Sequence, residues 1–292
     1  MLNKLLFVIA LGVFSGVASA PAQTLPAQPT PTPAAGAPVR VKGKIIAARV
    51  QGHVEATSTV AGAKQTVVLH DGDAVTDDTQ VVTAPGASVI LIFSNGATVD
   101  VAPDSTLKID EFEQDPFGAD VKVADLKQEP GTSTTRLNLT KGALVGKVVH
   151  LNVDKGSEFT VATPVGAAGI RGTTFQIVYR PGPNGTALFS VVTAEGQVVF
   201  TGTAPGSTPV DISAGQQIVV TFDVDSGLPT APIVLSDLSP AEAAQIQTIS
   251  QAIINSMLGT TFSGTGGGAG TSTVPSIPAP PPPITTPGAG GP

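Results

Sequence analysis

The chain has 292 residues, with 15 Lys and Arg against 22 Asp and Glu and a formal charge of −7. That balance excludes the basic face on which nucleic-acid binding depends. The lack of any cysteine excludes disulfides, thiol chemistry and an acylated lipoprotein cysteine.

Met1 to Ala20 reads as a secretory signal peptide: Lys4 supplies the positive start, Leu5 to Val13 the apolar run, and Ala18-Ser19-Ala20 a small-residue cleavage site. Cleavage after Ala20 or after Ala22 makes Pro21 or Gln23 the first mature residue. The apolar run is short for a bilayer core of about 30 Å, so removal is expected rather than anchoring, with a periplasmic or secreted product and no transmembrane segment left. Residues 21–38 are rich in Pro, Ala, Thr and Gln and read as an extended linker.

From 39 to 224 the pattern is that of strands. Period-two alternation governs Val67 to Leu69, Val81 to Thr83, Val89 to Phe93 and Val99 to Val101. It returns at Leu137 to Leu139, Leu144 to Asn152, Ala187 to Thr193, Gln197 to Thr201 and Gln217 to Asp223. Asn95-Gly96, between two such runs, is a strong hairpin signal. Gln114 to Arg136 is irregular and reads as an insertion in which Val121 and Val123 share one short strand. Many short strands punctuated by Gly and Pro predict an all-β domain, either a twisted sandwich or a short β-solenoid. Residues 225–260 form a C-terminal segment with one amphipathic helix at 239–258. Ser239, Pro240 and Glu242 supply its cap, first-turn proline and capping-box acid. Ile246, Ile249 and Ile253 form the face expected to dock on the β domain, and Gly259 ends the helix. Residues 261–292 are Gly, Thr, Ser and Pro, and read as a disordered tail with polyproline II character at Pro278 to Pro283.

The densest motif is Phe159 to Ile177. Phe159, Val161 and Thr163 alternate as a strand that ends at Pro164. Gly166, Gly169 and Gly172 then recur and read as strand-to-strand turns, and Thr173, Phe175 and Ile177 begin another strand. Arg171 is the one charge in this run. A buried guanidinium needs a carboxylate, so Arg171 is expected to pair inside the fold, with Asp100 or Asp73 as partner.

This stretch resembles the FecR domain, in which a strand ending in Thr-Pro leads through small residues to Gly-x-Arg-Gly-Thr-x-Phe. Gly52 to Val54, Gly72-Asp73, Phe93 to Val101, Leu139 to Val145 and Glu195 to Val198 resemble its other pieces in order, over roughly Val39 to Phe222. The structural motif so marked comprises Thr163, Pro164, Gly169, Arg171, Gly172, Thr173 and Phe175, with Asn95 and Gly96 in the hairpin. The resemblance implies an envelope protein; the best-known relatives regulate sigma factors across the membrane. Those carry a cytosolic segment and a membrane helix ahead of the domain, whereas here only Met1 to Lys4 precede the apolar run.

No catalytic, metal or cofactor site is read from the residues. His53, His70 and His150 lack zinc spacing. Asp71, Asp73, Asp77 and Asp78 lack the EF-hand order. Asp110, Glu111, Glu113 and Asp115 form a run of charge more typical of a solvated face than of paired catalytic carboxylates. The expected function is a non-catalytic binding or scaffolding module whose partner is an envelope protein or cell-wall glycan. The alternatives are a soluble periplasmic component of a FecR-type signalling system and, less favoured, a glycan-active enzyme.

Overall fold

The computed structural model describes residues 40–264. The signal-like stretch, the Pro-rich linker and the tail from residue 265 lie outside the described residues.

The first strands are β1 (Val41–Lys42), β2 (Ile45–Gln51), β3 (Val54–Val60) and β4 (Ala63–Val68). Ala61 and Gly62 join β3 to β4 with φ of +51° and +83°, the left-handed pair whose twist suits a two-residue hairpin. Next come β5 (Ala74–Val75), β6 (Thr79–Thr83), β7 (Ser88–Phe93), β8 (Thr98–Val101) and β9 (Thr106–Gln114). β10 (Val121–Lys122) lies in the irregular stretch, followed by β11 (Ser133–Lys147), β12 (Glu158–Thr163), β13 (Gly166–Ile170) and β14 (Thr174–Pro181). The domain continues with β15 (Thr186–Glu195), β16 (Gln197–Gly202), β17 (Val210–Ser213), β18 (Gln216–Asp223), β19 (Leu228–Pro229) and β20 (Leu235–Asp237). Helix α1 (Pro240–Met257) and β21 (Thr261–Phe262) end it.

The strands form two sheets that share β11. In the first, the order is β4-β3-β6-β9-β11-β12-β13-β16-β17, with β1 on β9. In the second it is β5-β2-β7-β8-β11-β14-β15-β18, with β19 and β20 on β18. Among these strands only β11 and β12 run parallel. The sheets share β11 and are otherwise joined by packing, so the architecture is an open sandwich and not a barrel.

β11 joins the two alternating runs, Leu137 to Leu139 and Leu144 onward, into one strand. Ser133–Lys141 pairs with β9 in the first sheet, and Gly142–Lys147 pairs with β8 and β14 in the second. The register slips between Leu139 and Lys141, where Gly142 has φ +97°. A Cβ at Gly142 would stand 2.1 Å from Ser105 Oγ. The glycine therefore marks a bulge that bends a strand from one sheet to the other without ending it. The strand stops at Lys147, short of the predicted Asn152.

Alternate residues of both sheets fill one core, from Val54 and Val81 to Phe200 and Phe222. Aromatic rings bridge the sheets along it: Phe93 meets Phe112 edge-on at 5.1 Å, Phe159 meets Phe175 at 6.3 Å, and Phe189 meets Phe200 at 4.5 Å. With no Trp in the chain, phenylalanines and the buried Tyr179 carry the aromatic share of the core.

A second, smaller core lies on the outer face of the second sheet. Ile46, Ile90, Ile92 and Val145 are covered there by Ile253 and Met257 of α1 and by Phe117, Val121 and Val123. The helix starts as its sequence demands: Ser239 Oγ accepts from Glu242 N, and Glu242 Oε2 accepts from Ser239 N, a complete capping box. Ile246 and Ile253 are buried, whereas Ile249 is only half buried. The irregular stretch is thus a cover for this face. Val121 is in β10, but Val123 begins a 3₁₀ turn, so the two do not share a strand. The tail also begins later than expected, because Thr261–Phe262 pairs with β10 and buries the Phe262 ring. Among the described residues no helix is long and apolar enough to cross a membrane.

Candidate functional site

The motif around Arg171 folds differently from its sequence reading. Thr163 closes the β12–β13 hairpin, its Oγ1 donating to Gly166 O at 2.9 Å, and Pro164 is exposed in the turn. Gly166 to Ile170 is not a turn but strand β13, held between β12 and β16. Gly166 is needed for close approach, since a Cβ there would stand 2.4 Å from the Phe200 ring. Only Gly172 of the three glycines turns the chain, at φ +69° between β13 in one sheet and β14 in the other. Thr173 and Phe175 follow it into the core, the Thr173 Oγ1 without a hydrogen-bond partner.

Arg171 stands at this crossing with its side chain exposed. Its amide donates to Gln197 O at 3.3 Å, and among the described residues its guanidinium makes no ion pair. The expected pairing with Asp100 or Asp73 is therefore overturned. Asp100 lies on β8, where its cross-strand neighbours are Ile90 and Val145, and Asp73 accepts from His70 N at 2.8 Å. The small residues around Arg171 build strand β13, and the side chain leaves the sheet for solvent.

Arg171 lines a cleft of about 380 Å³ together with Asp154, Ser157, Glu158, Thr160 and Gly169. The register of β12 and β13 places Thr160 opposite Gly169, and the 3₁₀ turn Val153–Lys155 closes one side. A Cβ at Gly169 would meet nothing nearer than Val199 O at 3.8 Å, so glycine leaves the floor open here and relieves no clash. Glu158 is held below the usual carboxylate range by the hydrogen bond from Arg136, with a further one from Thr160 at 3.0 Å. Arg136 also holds Glu111 at 2.6 Å. Ser157 Oγ accepts from Ser133 N at 3.2 Å. These groups are committed to the fold, which leaves the Arg171 fork and the exposed Asp154 carboxylate as the charged groups free to meet a ligand. A fork of this kind suits a planar anionic group.

Asn95 and Gly96 form the tip of the β7–β8 hairpin, and the tip is buried. Both motif turns rest on the same segment. A Cβ at Gly96 would stand 3.0 Å from Val149 Cγ2, and one at Gly172 3.1 Å from His150 Cα. The structure thus joins the two halves of the motif through Val149 and His150. It does not bring Asn95 into the cleft.

The clustered acids are dispersed among separate partners. Asp71 accepts from Val50 N at 2.6 Å, Asp77 pairs with Lys42, and Asp78 and Asp110 pair with Lys108. Glu113 pairs with Lys42 at 3.2 Å, and Asp115 accepts from Thr132. Among the described residues no three His, Asp or Glu side chains gather as metal ligands. A second cleft of about 570 Å³ sits at the β11 bulge, lined by Asp104, Lys141 and Arg180. Asp154, Ser157, Glu158 and Thr160 were not singled out from the sequence. Strand register and a 3₁₀ turn bring them to Arg171, and neither is marked by a motif.

These observations define an all-β sandwich with a polar cleft at a sheet-to-sheet crossing. The family model described as FecR protein matches residues 79–199, from the start of β6 into β16, and this part of the chain is FecR-like. The match is shorter than the 39–222 span over which the sequence resembles the domain. Two crystal structures of a candidate anti-sigma factor from Parabacteroides distasonis ATCC 8503 are similar to the chain at 14% and 13% identity. In each the likeness covers 59% of this chain and 64% of that one, with a TM-score of 0.40. No curated protein matches the chain.

Proposed function

We infer that the protein is an exported, non-catalytic FecR-like module that binds a component of the cell envelope through the cleft at Arg171. The observation that carries this reading is an exposed guanidinium without an ion pair, held in a cleft inside the family-matched region. The signal-like Met1 to Ala20 supports export, and the flanking Pro-rich stretches support a tethered domain. An anionic group, such as a carboxylate of an envelope protein or of cell-wall glycan, is the ligand chemistry that Arg171 selects.

The test is co-sedimentation of the purified full-length mature chain with isolated cell-wall sacculi, beside cross-linking in intact envelopes. Arg171→Ala is expected to lower retention or the cross-linked yield about tenfold, since a charge-assisted contact contributes about 1.5–3 kcal/mol. Equal retention and equal cross-linking by Arg171→Ala would remove the cleft from the proposal. The FecR match also favours a second reading, a sensing component of an envelope signalling system. That reading requires the cross-linked partner to be a receptor or regulator protein and not glycan.

A further inference from the structure

β4 is an edge strand, and its geometry is unusual for an edge left open to solvent. It pairs with β3 over Val60↔Ala63 to Glu55↔Val68 with no register shift. All six of its residues are exposed, and it holds no proline. Natural sheets blunt such edges with bulges, prolines, short strands or repeated charges. Here one charge, Lys64, stands among β-branched residues, and Val60, Val67 and Val68 remain 54%, 46% and 44% exposed.

The direction of the open groups follows from the hairpin. A two-residue turn makes Val60 and Ala63 a hydrogen-bonded pair, so odd-numbered residues of β4 bond to β3. Leu69 N donates to Val54 O at 2.9 Å, which confirms the parity at the far end of the strand. The N–H and C=O groups of Lys64, Thr66 and Val68 therefore point out of the sheet. Their free edge is a template for one more antiparallel strand.

We propose that the occupant is β4 of a second copy of this chain, paired about a two-fold axis at Thr66. The axis sets Thr66 against the partner subunit's Thr66, and Lys64 and Val68 against the partner subunit's Val68 and Lys64. Every outward N–H and C=O of the three residues is then used. Each exposed Val68 packs on a lysine stem. The two ammonium groups stand four positions apart along the strand, about 14 Å. That exceeds the physiological screening length of about 8 Å, so they do not repel. A two-fold one residue earlier, at Gln65, would set Val68 against the partner subunit's Gly62 in its turn and leave the outward groups of Val68 unused. It would also bring the two ammonium groups to two positions apart, about 7 Å, within the screening length. One centred at Lys64 would face like charges. The number of hydrogen bonds made and the spacing of the charges thus select the same register.

The flanking sequence offers no rival strand. The longest proline-free runs of residues 21–38, Ala22–Leu25 and Ala34–Ala37, are four residues long. Thr265 to Gly270 is mostly glycine, Thr271–Val274 is again only four residues long, and prolines recur from Pro275 onward. Proline brings no donor to a ladder, and glycine weakens one. The inference does not rest on the reading of the Arg171 cleft.

Analytical ultracentrifugation of the full-length mature chain over a wide concentration range tests it. A reversible dimer is expected. Val68→Lys sets an ammonium against the partner subunit's Lys64 at two symmetric places and should weaken association about tenfold. Adding Lys64→Glu to that variant sets opposite charges face to face and should restore the dimer. A monomer at every concentration overturns the proposal, as does a dimer that Val68→Lys leaves unchanged. Failure of the double variant to recover overturns the two-fold register. Because the chain has no cysteine, Thr66→Cys gives an independent check. It should form an intermolecular disulfide under mild oxidation, and the lack of one in a folded dimer counts against the axis.

Discussion

Asn95 and Ser133, 38 positions apart, meet in the interior: Asn95 Nδ2 donates to Ser133 Oγ at 3.0 Å, and the two residues are 1% and 0% exposed. Ser133 Oγ in turn donates to Glu129 Oε2 at 2.6 Å, and Asn95 Oδ1 accepts from Ala97 N at 3.0 Å. The Asn95-Gly96 pair that reads as a hairpin turn is therefore also the anchor for the stretch that covers the second sheet. Asn95→Ala leaves these buried groups unmet and should cost about 1–3 kcal/mol. Urea denaturation should show a lower midpoint. Asn184, a left-handed residue in the exposed β14–β15 turn, should tolerate Asn184→Gly within about 0.5 kcal/mol.

Arg171 is exposed and, among the described residues, without an ion pair, so Arg171→Ala should shift stability by no more than about 0.5 kcal/mol. The same urea experiment checks this. A loss of about 3–5 kcal/mol, the cost of breaking a buried ion pair, would restore the interior pairing that the sequence led us to expect.

Asp100 is the carboxyl group set between Ile90 and Val145 under α1. Burial pushes its pKa up to about 6 from 3.8, with the nearby Arg49 opposing the shift. A folded-state value above the unfolded one means that ionisation costs stability. The cost is absent below about pH 4, grows as pH rises toward 6 and is complete above that, reaching about 3 kcal/mol. Asp100→Asn should thus gain stability over the unchanged protein at pH 8 and none at pH 4. Denaturant midpoints across that range decide it; a gain independent of pH would place the effect elsewhere.

Helix α1 covers the second sheet mainly through Ile253 and Met257. Ile253→Ala should cost about 2–5 kcal/mol through lost burial and a cavity. Gln251→Ala, on the exposed face, should cost less than about 0.5 kcal/mol. Thermal denaturation of both variants checks the docking. Equal melting temperatures would mean that the helix contributes nothing to the fold.

Local chemistry was enough for the elements themselves. Alternation in Val99 to Val101 marks a strand with one face in the core, and Ser239-Pro240 with Glu242 marks a helix start, because these signals act within one or two turns of chain. The ordered FecR-like pieces were legible for the same reason. Tertiary structure decided what depends on neighbours distant in the chain. The runs Leu137 to Leu139 and Leu144 onward read separately but form one bulged strand, since Ser105 presses on Gly142 and β8 and β14 are there to receive the bent strand. Gly166 and Gly169 look like turns but lie in a strand, because β12 and β16 flank them. Arg171 looks buried among small residues, yet the strand they form turns its side chain outward, where register alone brings Thr160 and Glu158 beside it. Whether a charge is buried, and whether an edge stays open, is set by which strands lie beside it, and that pairing is written in no single stretch of the sequence.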